Sequence, residues 1–349
     1  MNSRIRLLLS IGLPLLVVLV VVTAFLLQQQ KNSGASENSH KPLTKMTLAL
    51  DWTPNTNHTG IYVALAKQNH WYADEGIDLQ LLPYSQSILP DTLVSTGKAD
   101  VGISSTEAIV ADAAQKQPVV SIAAIVQHNT SALVTLASSG ITNLKELDGK
   151  TYGAFGYPYE SAVVSQMIKH SGGKGDFKSV TVDDPMQALE NHQVDFAWVF
   201  EGAEGIQAKH QGIQLNTFPI IENGIADYYT PTIITSSQEI QQKSDLLKRF
   251  MRATARGYEY ARTHVTEAAQ DLLQGTPKGT FPDEAYVKES QQFLSSRYAD
   301  SGHKWGVQEA AAWHNYPQFI LDAGGVTDAS NQPVKGLELD ALYTNQFLP

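Results

Sequence analysis

Trp52, Asn55, His58 and Tyr62 stand together in the run Asp51-Trp52-Thr53-Pro54-Asn55-Thr56-Asn57-His58-Thr59-Gly60-Ile61-Tyr62, with almost no aliphatic filler between them. An apolar run at 46–50 precedes this loop and a helix-like pattern at 60–69 follows it. A connection needs only Gly, Pro, Asn or Asp to turn, so this one carries more recognition chemistry than turning requires. Rings to stack on and amides to hydrogen-bond suit a small, flat, polar heterocycle. A capped turn whose Trp52 packs into the core accounts for the same residues, and the loop alone does not separate the two readings.

Carboxylates come next. Glu160 follows Gly156-Tyr157-Pro158-Tyr159, and Glu201 ends the apolar run Phe196-Ala197-Trp198-Val199-Phe200. Such groups can accept hydrogen bonds from an amino group or a protonated ring nitrogen, although an isolated glutamate is more often a solvated surface residue. Ser104-Ser105-Thr106-Glu107 reads as a cap for the helix that continues from Ala108, or as an anion-binding helix end. Glu107 in that first turn repels an anion and so favours a neutral or amine-bearing ligand.

Signatures of catalysis are missing. The chain has no Gly-x-Ser-x-Gly elbow, no His-Glu-x-x-His helix, no phosphate loop and no three-glycine dinucleotide spacing. Its ten histidines are scattered without a metal-like pair, and it has no cysteine, which excludes disulfides, thiolate metal sites and a lipidated cysteine. Neither a metal nor a cofactor is expected. The net charge of −10 argues against a nucleic-acid partner.

The elements that must position these residues alternate between short β-like runs and helical patterns from residue 44 onward, which implies an α/β protein with largely parallel sheets. One unit echoes another. Residues 88–104 read as helix, Gly97-Lys98-Ala99-Asp100 turn and strand; residues 185–200 repeat the plan through His192-Gln193-Val194-Asp195. Two such units suit two lobes that close on a cleft. The run Gln127-His128-Asn129-Thr130-Ser131 suits a cleft lining or a hinge, and Tyr228-Tyr229-Thr230-Pro231 reads as the return crossing between lobes. Beyond Pro231 the chain turns mainly helical.

The N-terminus is set apart. Arg4 and Arg6 precede an uncharged, mostly apolar stretch at 7–27, long enough as a helix to cross a bilayer core of roughly 30 Å. Basic residues before it place that end in the cytoplasm and export the remainder. An uncleaved membrane anchor and a cleaved signal both stay open, with cleavage at Val22-Thr23-Ala24 in the second case. Residues 28–42 read as a flexible extracytoplasmic tether.

With these pieces in place, the chain resembles the substrate-binding proteins of ABC importers for thiamin pyrimidine precursors. Residues 50–64, from Leu50-Asp51-Trp52 to Tyr62-Val63-Ala64, carry the most specific match. Gly97-Lys98-Ala99-Asp100-Val101-Gly102-Ile103, Ile125-Val126-Gln127-His128-Asn129-Thr130-Ser131, Gly149-Lys150-Thr151-Tyr152-Gly153, Asp195–Gly202 and Tyr228-Tyr229-Thr230-Pro231 support it. The resemblance implies a two-lobed periplasmic-binding-protein fold of the second type. Lobe 1 would comprise 44–131 plus 232–349, lobe 2 would comprise 132–231, and 1–43 would form the anchor and tether.

The same resemblance implies a monomer that takes formylaminopyrimidine or hydroxymethylpyrimidine into the cleft and serves an ABC permease and its ATPase at the outer side of the cell membrane. Trp52 and Tyr62 would supply aromatic surface, Asn55 and His58 hydrogen bonds, and Tyr157, Glu160 and Glu201 contacts from lobe 2. Glu107 and Tyr228 complete the implied set. The chain departs from the family pattern at Ala203, where an aromatic residue is usual, and at Tyr157-Pro158-Tyr159. Sulfonate and riboflavin binders resemble it too. So do pyrimidine synthases that consume pyridoxal phosphate, but their lysine and histidine positions fall here on Ser104 and Ala108, and their cysteine-rich run has no counterpart. The expectation is therefore a binding protein rather than an enzyme.

Overall fold

The computed structural model describes residues 42–85 and 87–349. The apolar stretch at 7–27 lies outside the described residues, and among the described ones no helix is long and apolar enough to cross a membrane. The strands in chain order are β1 (Thr44–Ala49), β2 (Ile77–Leu82), β3 (Val101–Ser104), β4 (Val119–Ala124), β5 (Ser131–Leu136), β6 (Thr151–Ala154), β7 (Lys178–Thr181), β8 (Phe196–Phe200), β9 (Leu215–Pro219) and β10 (Thr232–Ser236). They form two five-stranded sheets, ordered β2-β1-β3-β10-β4 and β7-β6-β8-β5-β9. The chain passes from the first sheet to the second after β4 and returns at β10, just past a cis Thr230–Pro231 peptide.

Four of the eight pairings are parallel, β1 with β2 and β3 and β6 with β7 and β8. The other four are antiparallel, β10 with β3 and β4 and β5 with β8 and β9, so both sheets are mixed rather than largely parallel as the alternation of strands and helices suggests. The inner strands β3 and β8 are short runs buried on both faces, with every residue of β3 and the first four of β8 buried, whereas the edge strand β7 is exposed throughout.

The echoed units do the same structural work in the two sheets. Asp100 Oδ2 accepts a hydrogen bond from Thr47 N at 2.8 Å, and Asp195 Oδ2 accepts one from Thr151 N at 2.8 Å. Each aspartate thus fixes its own strand to the neighbouring parallel one. Both preceding turns pass through the left-handed region, at Gly97 (φ 69°) and at His192 (φ 55°).

The helical region after β10 covers the first sheet. Helix Ser244–Thr263 presents Leu246, Leu247, Phe250, Met251 and Tyr258 to a core shared with Met46, Leu48, Ile61 and Val63. It crosses the short helix Thr59–Leu65 where both are reduced to glycine. A Cβ on Gly257 would lie 1.9 Å from the Gly60 carbonyl oxygen, and one on Gly60 would strike the Tyr258 ring.

Several elements differ from the sequence reading, among them the short helices Trp71–Asp74, Ile206–His210 and Ser237–Gln242, and three differences have a clear physical reason. The helix expected over 60–69 stops at Leu65, because Ala66 turns extended (ψ 140°) and the Val63 carbonyl accepts from Ala66 N at 3.2 Å and from the Asn69 side-chain amide at 2.7 Å. Strand β9 has no counterpart in the expectations: Leu-Asn-Thr-Phe-Pro is a half-exposed edge strand without an apolar stripe. Helix Val265–Gly275 is likewise unanticipated, since it follows Ser244–Thr263 after a break at His264 that no glycine or proline announces.

Candidate functional site

The carboxyl ends of β1, β2 and β3 and those of β6, β7 and β8 carry the loops in question, and ligands of open α/β sheets bind at such strand ends. The loop after β1 is rigid because its polar atoms bond to one another and to the helices behind it. Asn55 Oδ1 accepts from Asn57 N at 2.9 Å and caps the turn Thr56–His58, while Asn55 Nδ2 donates to the Thr53 carbonyl. His58 is fully buried; its Nδ1 accepts from Asn55 N at 3.3 Å and its Nε2 meets Asp51 Oδ1 at 2.8 Å. From behind, the Tyr298 hydroxyl donates to the Thr56 carbonyl at 2.5 Å and the Tyr258 hydroxyl to the Asn57 carbonyl at 2.6 Å.

This bonding leaves Asp51 and Trp52 as the outward face of the loop. Trp52 remains 40% exposed, with its ring centroid 4.7 Å from that of Tyr84, which follows β2. The loop after β6 supplies a second aromatic pair. Gly156, at φ 101°, turns the chain so that Tyr157 precedes helix Pro158–His170. Tyr157 is 45% exposed and stacks on Tyr159 with centroids 5.4 Å apart. Ile88, Leu89 and Phe155 are exposed along the same strand ends. Aromatic and apolar side chains with a few placed polar groups among them are the usual lining of a small-molecule site.

Carboxylates and phenols line the interior. Glu160 is buried and spends both oxygens locally: Oε1 accepts from Tyr157 N, and Oε2 from the Tyr152 hydroxyl and from Phe155 N. Glu107 is buried as well; its Oε1 accepts from the Tyr316 hydroxyl at 3.2 Å, and its Oε2 has no partner among the described residues. Burial pushes the Glu107 carboxyl up, against hydrogen bonding from its surroundings. The Tyr228 ring stacks on Tyr316 with centroids 3.6 Å apart, and its hydroxyl also lacks a partner among the described residues. Asp91 accepts from Ser104 Oγ and pairs with Asp112; burial and the charge of Asp91 push Asp112 up to about 8. Among the described residues no lysine or arginine forms an ion pair with Asp51, Asp91, Glu107, Asp112 or Glu160.

Of the residues singled out in the sequence, Trp52 and Tyr157 provide the exposed rings, and Glu107 with Tyr228 provides unpartnered polar atoms. Asn55, His58 and Glu160 hold the loops in shape. Tyr62 is buried among Ile206, Leu272, Tyr286 and Val287, where Gly275 leaves room for its ring. Glu201 begins the π-turn Glu201–Gly205 and lines a groove of about 870 Å3 with Lys209, Glu289 and Phe293. Burial raises its carboxyl, Arg297 opposes the rise, and Glu222 adds to it. Asp51, Tyr84, Asp91, Tyr159 and Tyr316 were absent from the sequence-derived set. Asp51 and Tyr84 could have been found by applying the strand-end rule to β1 and β2.

Two five-stranded α/β halves joined by two crossings, with loops from both at the strand ends, define the periplasmic-binding-protein fold. The alkanesulfonate-binding protein of Xanthomonas axonopodis pv. citri, solved with MOPS bound, shares it: TM-score 0.62 at 12% identity, covering 86% of this chain and 98% of that one. The chain belongs to the NMT1/THI5-like family, whose model matches residues 55–268. It is 25% identical over 325 residues to the formylaminopyrimidine-binding protein of Halalkalibacterium halodurans, covering 91% of this chain and 95% of the relative. It is also 26% identical over 314 residues to the 4-amino-5-hydroxymethyl-2-methylpyrimidine phosphate synthase of Legionella pneumophila, covering 88% of this chain and 93% of that enzyme.

Proposed function

We propose that the protein is the extracytoplasmic substrate-binding component of an ABC importer, that it captures a thiamin pyrimidine precursor, formylaminopyrimidine or hydroxymethylpyrimidine, and that it hands this ligand to the permease. The observation that carries the reading is the pair of aromatic platforms, Trp52 with Tyr84 and Tyr157 with Tyr159, above an interior of carboxylates and phenols. A flat ring gains stacking from both sides, and its amino and ring-nitrogen groups meet acceptors. A sulfonate would face carboxylates that no lysine or arginine offsets among the described residues, which favours the pyrimidine.

On this reading the first half, 44–131 plus 232–349, and the second, 132–231, are lobes that close by bending at the two crossings. Glu107 and the Tyr228 hydroxyl lie close enough to interact, yet Glu107 Oε2 and that hydroxyl form no well-aligned hydrogen bond among the described residues, which leaves them open to polar groups of the ligand. The N-terminal stretch holds the protein at the outer face of the membrane or directs its export. The synthase alternative requires lysine and histidine chemistry, and Ser104 and Ala108 occupy the positions that the sequence resemblance assigns to it. Calorimetry on the purified protein tests the assignment. Tight binding of formylaminopyrimidine without turnover is expected, and binding of an alkanesulfonate or a flavin in its place would reject it.

A further inference from the structure

We propose that Asp51 is the carboxylate that selects an amino group on the ligand ring, with His58 as its positioning residue; the inference rests on the pyrimidine-binding reading and names the ligand group on which specificity turns. Asp51 stands at the carboxyl end of β1, immediately before Trp52, with its side chain 31% exposed. His58 is fully buried behind it. Because the Asn55 N–H is directed at Nδ1, that nitrogen is the acceptor and the ring hydrogen belongs on Nε2, which donates to Asp51 Oδ1 at 2.8 Å. One oxygen of the carboxylate is therefore fixed by a buried ring, and the other has no protein partner among the described residues.

Among the neighbouring carboxylates Glu107 also has one oxygen held and one without a partner, but it is buried, whereas Asp51 opens to the crevice. Glu160 has both oxygens occupied, and Asp91 is engaged by Ser104 and Asp112. Asp51 is oriented, available, and flanked by the Trp52 and Tyr84 rings. Its charge also reaches across the crevice: behind burial, it helps raise the phenols of Tyr84 on one half and Tyr157 on the other. A ring lying between these aromatic groups would direct an exocyclic N–H to the free carboxylate oxygen. An oxo group at the same ring position presents lone pairs instead and is repelled, so the contact discriminates as well as attracts. His58 keeps the carboxylate from rotating away when the crevice is empty.

The test measures affinity by calorimetry for 4-amino-5-hydroxymethyl-2-methylpyrimidine and for its 4-oxo counterpart. The unmodified protein should prefer the amino compound. Asp51→Asn should weaken its binding about ten- to a hundredfold and collapse the amino-over-oxo ratio, because the new amide can donate to an oxo group. His58→Gln, which keeps an N–H near the same place, should retain the ratio, whereas His58→Leu should lose it. If Asp51→Asn stays folded and keeps the original ratio, the inference is overturned while the pyrimidine reading stands. If the unmodified protein binds neither of these compounds nor formylaminopyrimidine, both are overturned; if it binds formylaminopyrimidine alone, the same Asp51→Asn comparison is made on that ligand and its 4-oxo counterpart. Asp51→Asn alone decides the matter should His58→Leu fail to fold.

Discussion

Trp52 and Tyr62 are both aromatic residues of one short segment, yet the fold gives them different environments. Tyr62 is buried, and burial pushes its phenol up to about 12. Trp52 keeps much of its ring open beside Tyr84. Trp52→Ala should therefore weaken pyrimidine binding by about 2 kcal/mol or more, the size expected for an aromatic anchor at a binding interface. Tyr62→Phe, which keeps the packed ring, should leave affinity unchanged. Titration of both variants by calorimetry checks this, and undiminished affinity in Trp52→Ala would remove the loop from the site. The sequence displayed which side-chain types this loop contains, but not which way they face. Asn55, His58 and Glu160 show why: a polar side chain close to unpaired backbone groups bonds to them, and that direction is set by cap geometry rather than by residue type.

At the scale of elements, the loop after β1 is only as fixed as the helix that continues it. Helix Thr59–Leu65 is short and would be marginal alone, so its seat on Ser244–Thr263 must supply its stability. That seat needs two glycines in contact. Gly257→Ala would drive a methyl group into the Gly60 carbonyl, 1.9 Å away, and should destabilise the protein by about 1–3 kcal/mol as the helices separate. Thermal melting reads the loss, and pyrimidine affinity should fall with it because the loop moves with its helix. Unchanged melting would show that the crossing relaxes without cost. Most strands were legible in the sequence as short apolar runs ended by polar clusters, and β3 and β6 fell on the expected residues. The echo between 88–104 and 185–200 was legible too, and its physical content is the shared Asp100 and Asp195 clamp. What escaped were β9, whose edge position removes the need for an apolar stripe, and Val265–Gly275, whose start at His264 lacks a breaker residue.

For the molecule as a whole, the ionisable groups point to a stability maximum on the acid side of neutrality. Burial raises the carboxyls of Asp91, Glu107, Asp112, Glu204 and Asp271. A carboxyl raised in the fold keeps its proton where the unfolded chain has already lost it. The folded state then holds more protons, and stability falls as pH rises from the ordinary carboxylate range through the folded value. For Asp112 that window runs from about 4 up to about 8, and each proton held only by the fold costs about 1.4 kcal/mol per pH unit within such a window.

His128, in the first crossing between the sheets, acts in the same direction. Burial lowers its pKa, but hydrogen bonds and charge from Asp227 in the second crossing and Asp300 in the first half outweigh burial and raise it. Its contribution is complete below the unfolded imidazole value of about 6.5 and is lost as pH rises through the higher folded value; half-exposure keeps it small. The carboxyls of Asp100, Asp148 and Glu289 are lowered, so they contribute above the unfolded range and lose stability only as pH falls through their folded values. The opposing effect is therefore confined to strongly acid solution.

The melting temperature should accordingly be higher at pH 5.5 than at pH 8.5 by at least a few degrees. Asp112→Asn, which keeps an N–H for Asp91 without an ionisable proton, should flatten the difference, and His128→Gln should reduce it slightly. A melting temperature that rises between pH 5.5 and 8.5, or a difference that survives Asp112→Asn intact, would show that the buried carboxyls ionise freely in the folded state. Asp91 and Asp112 would then be hydrated rather than sharing a proton.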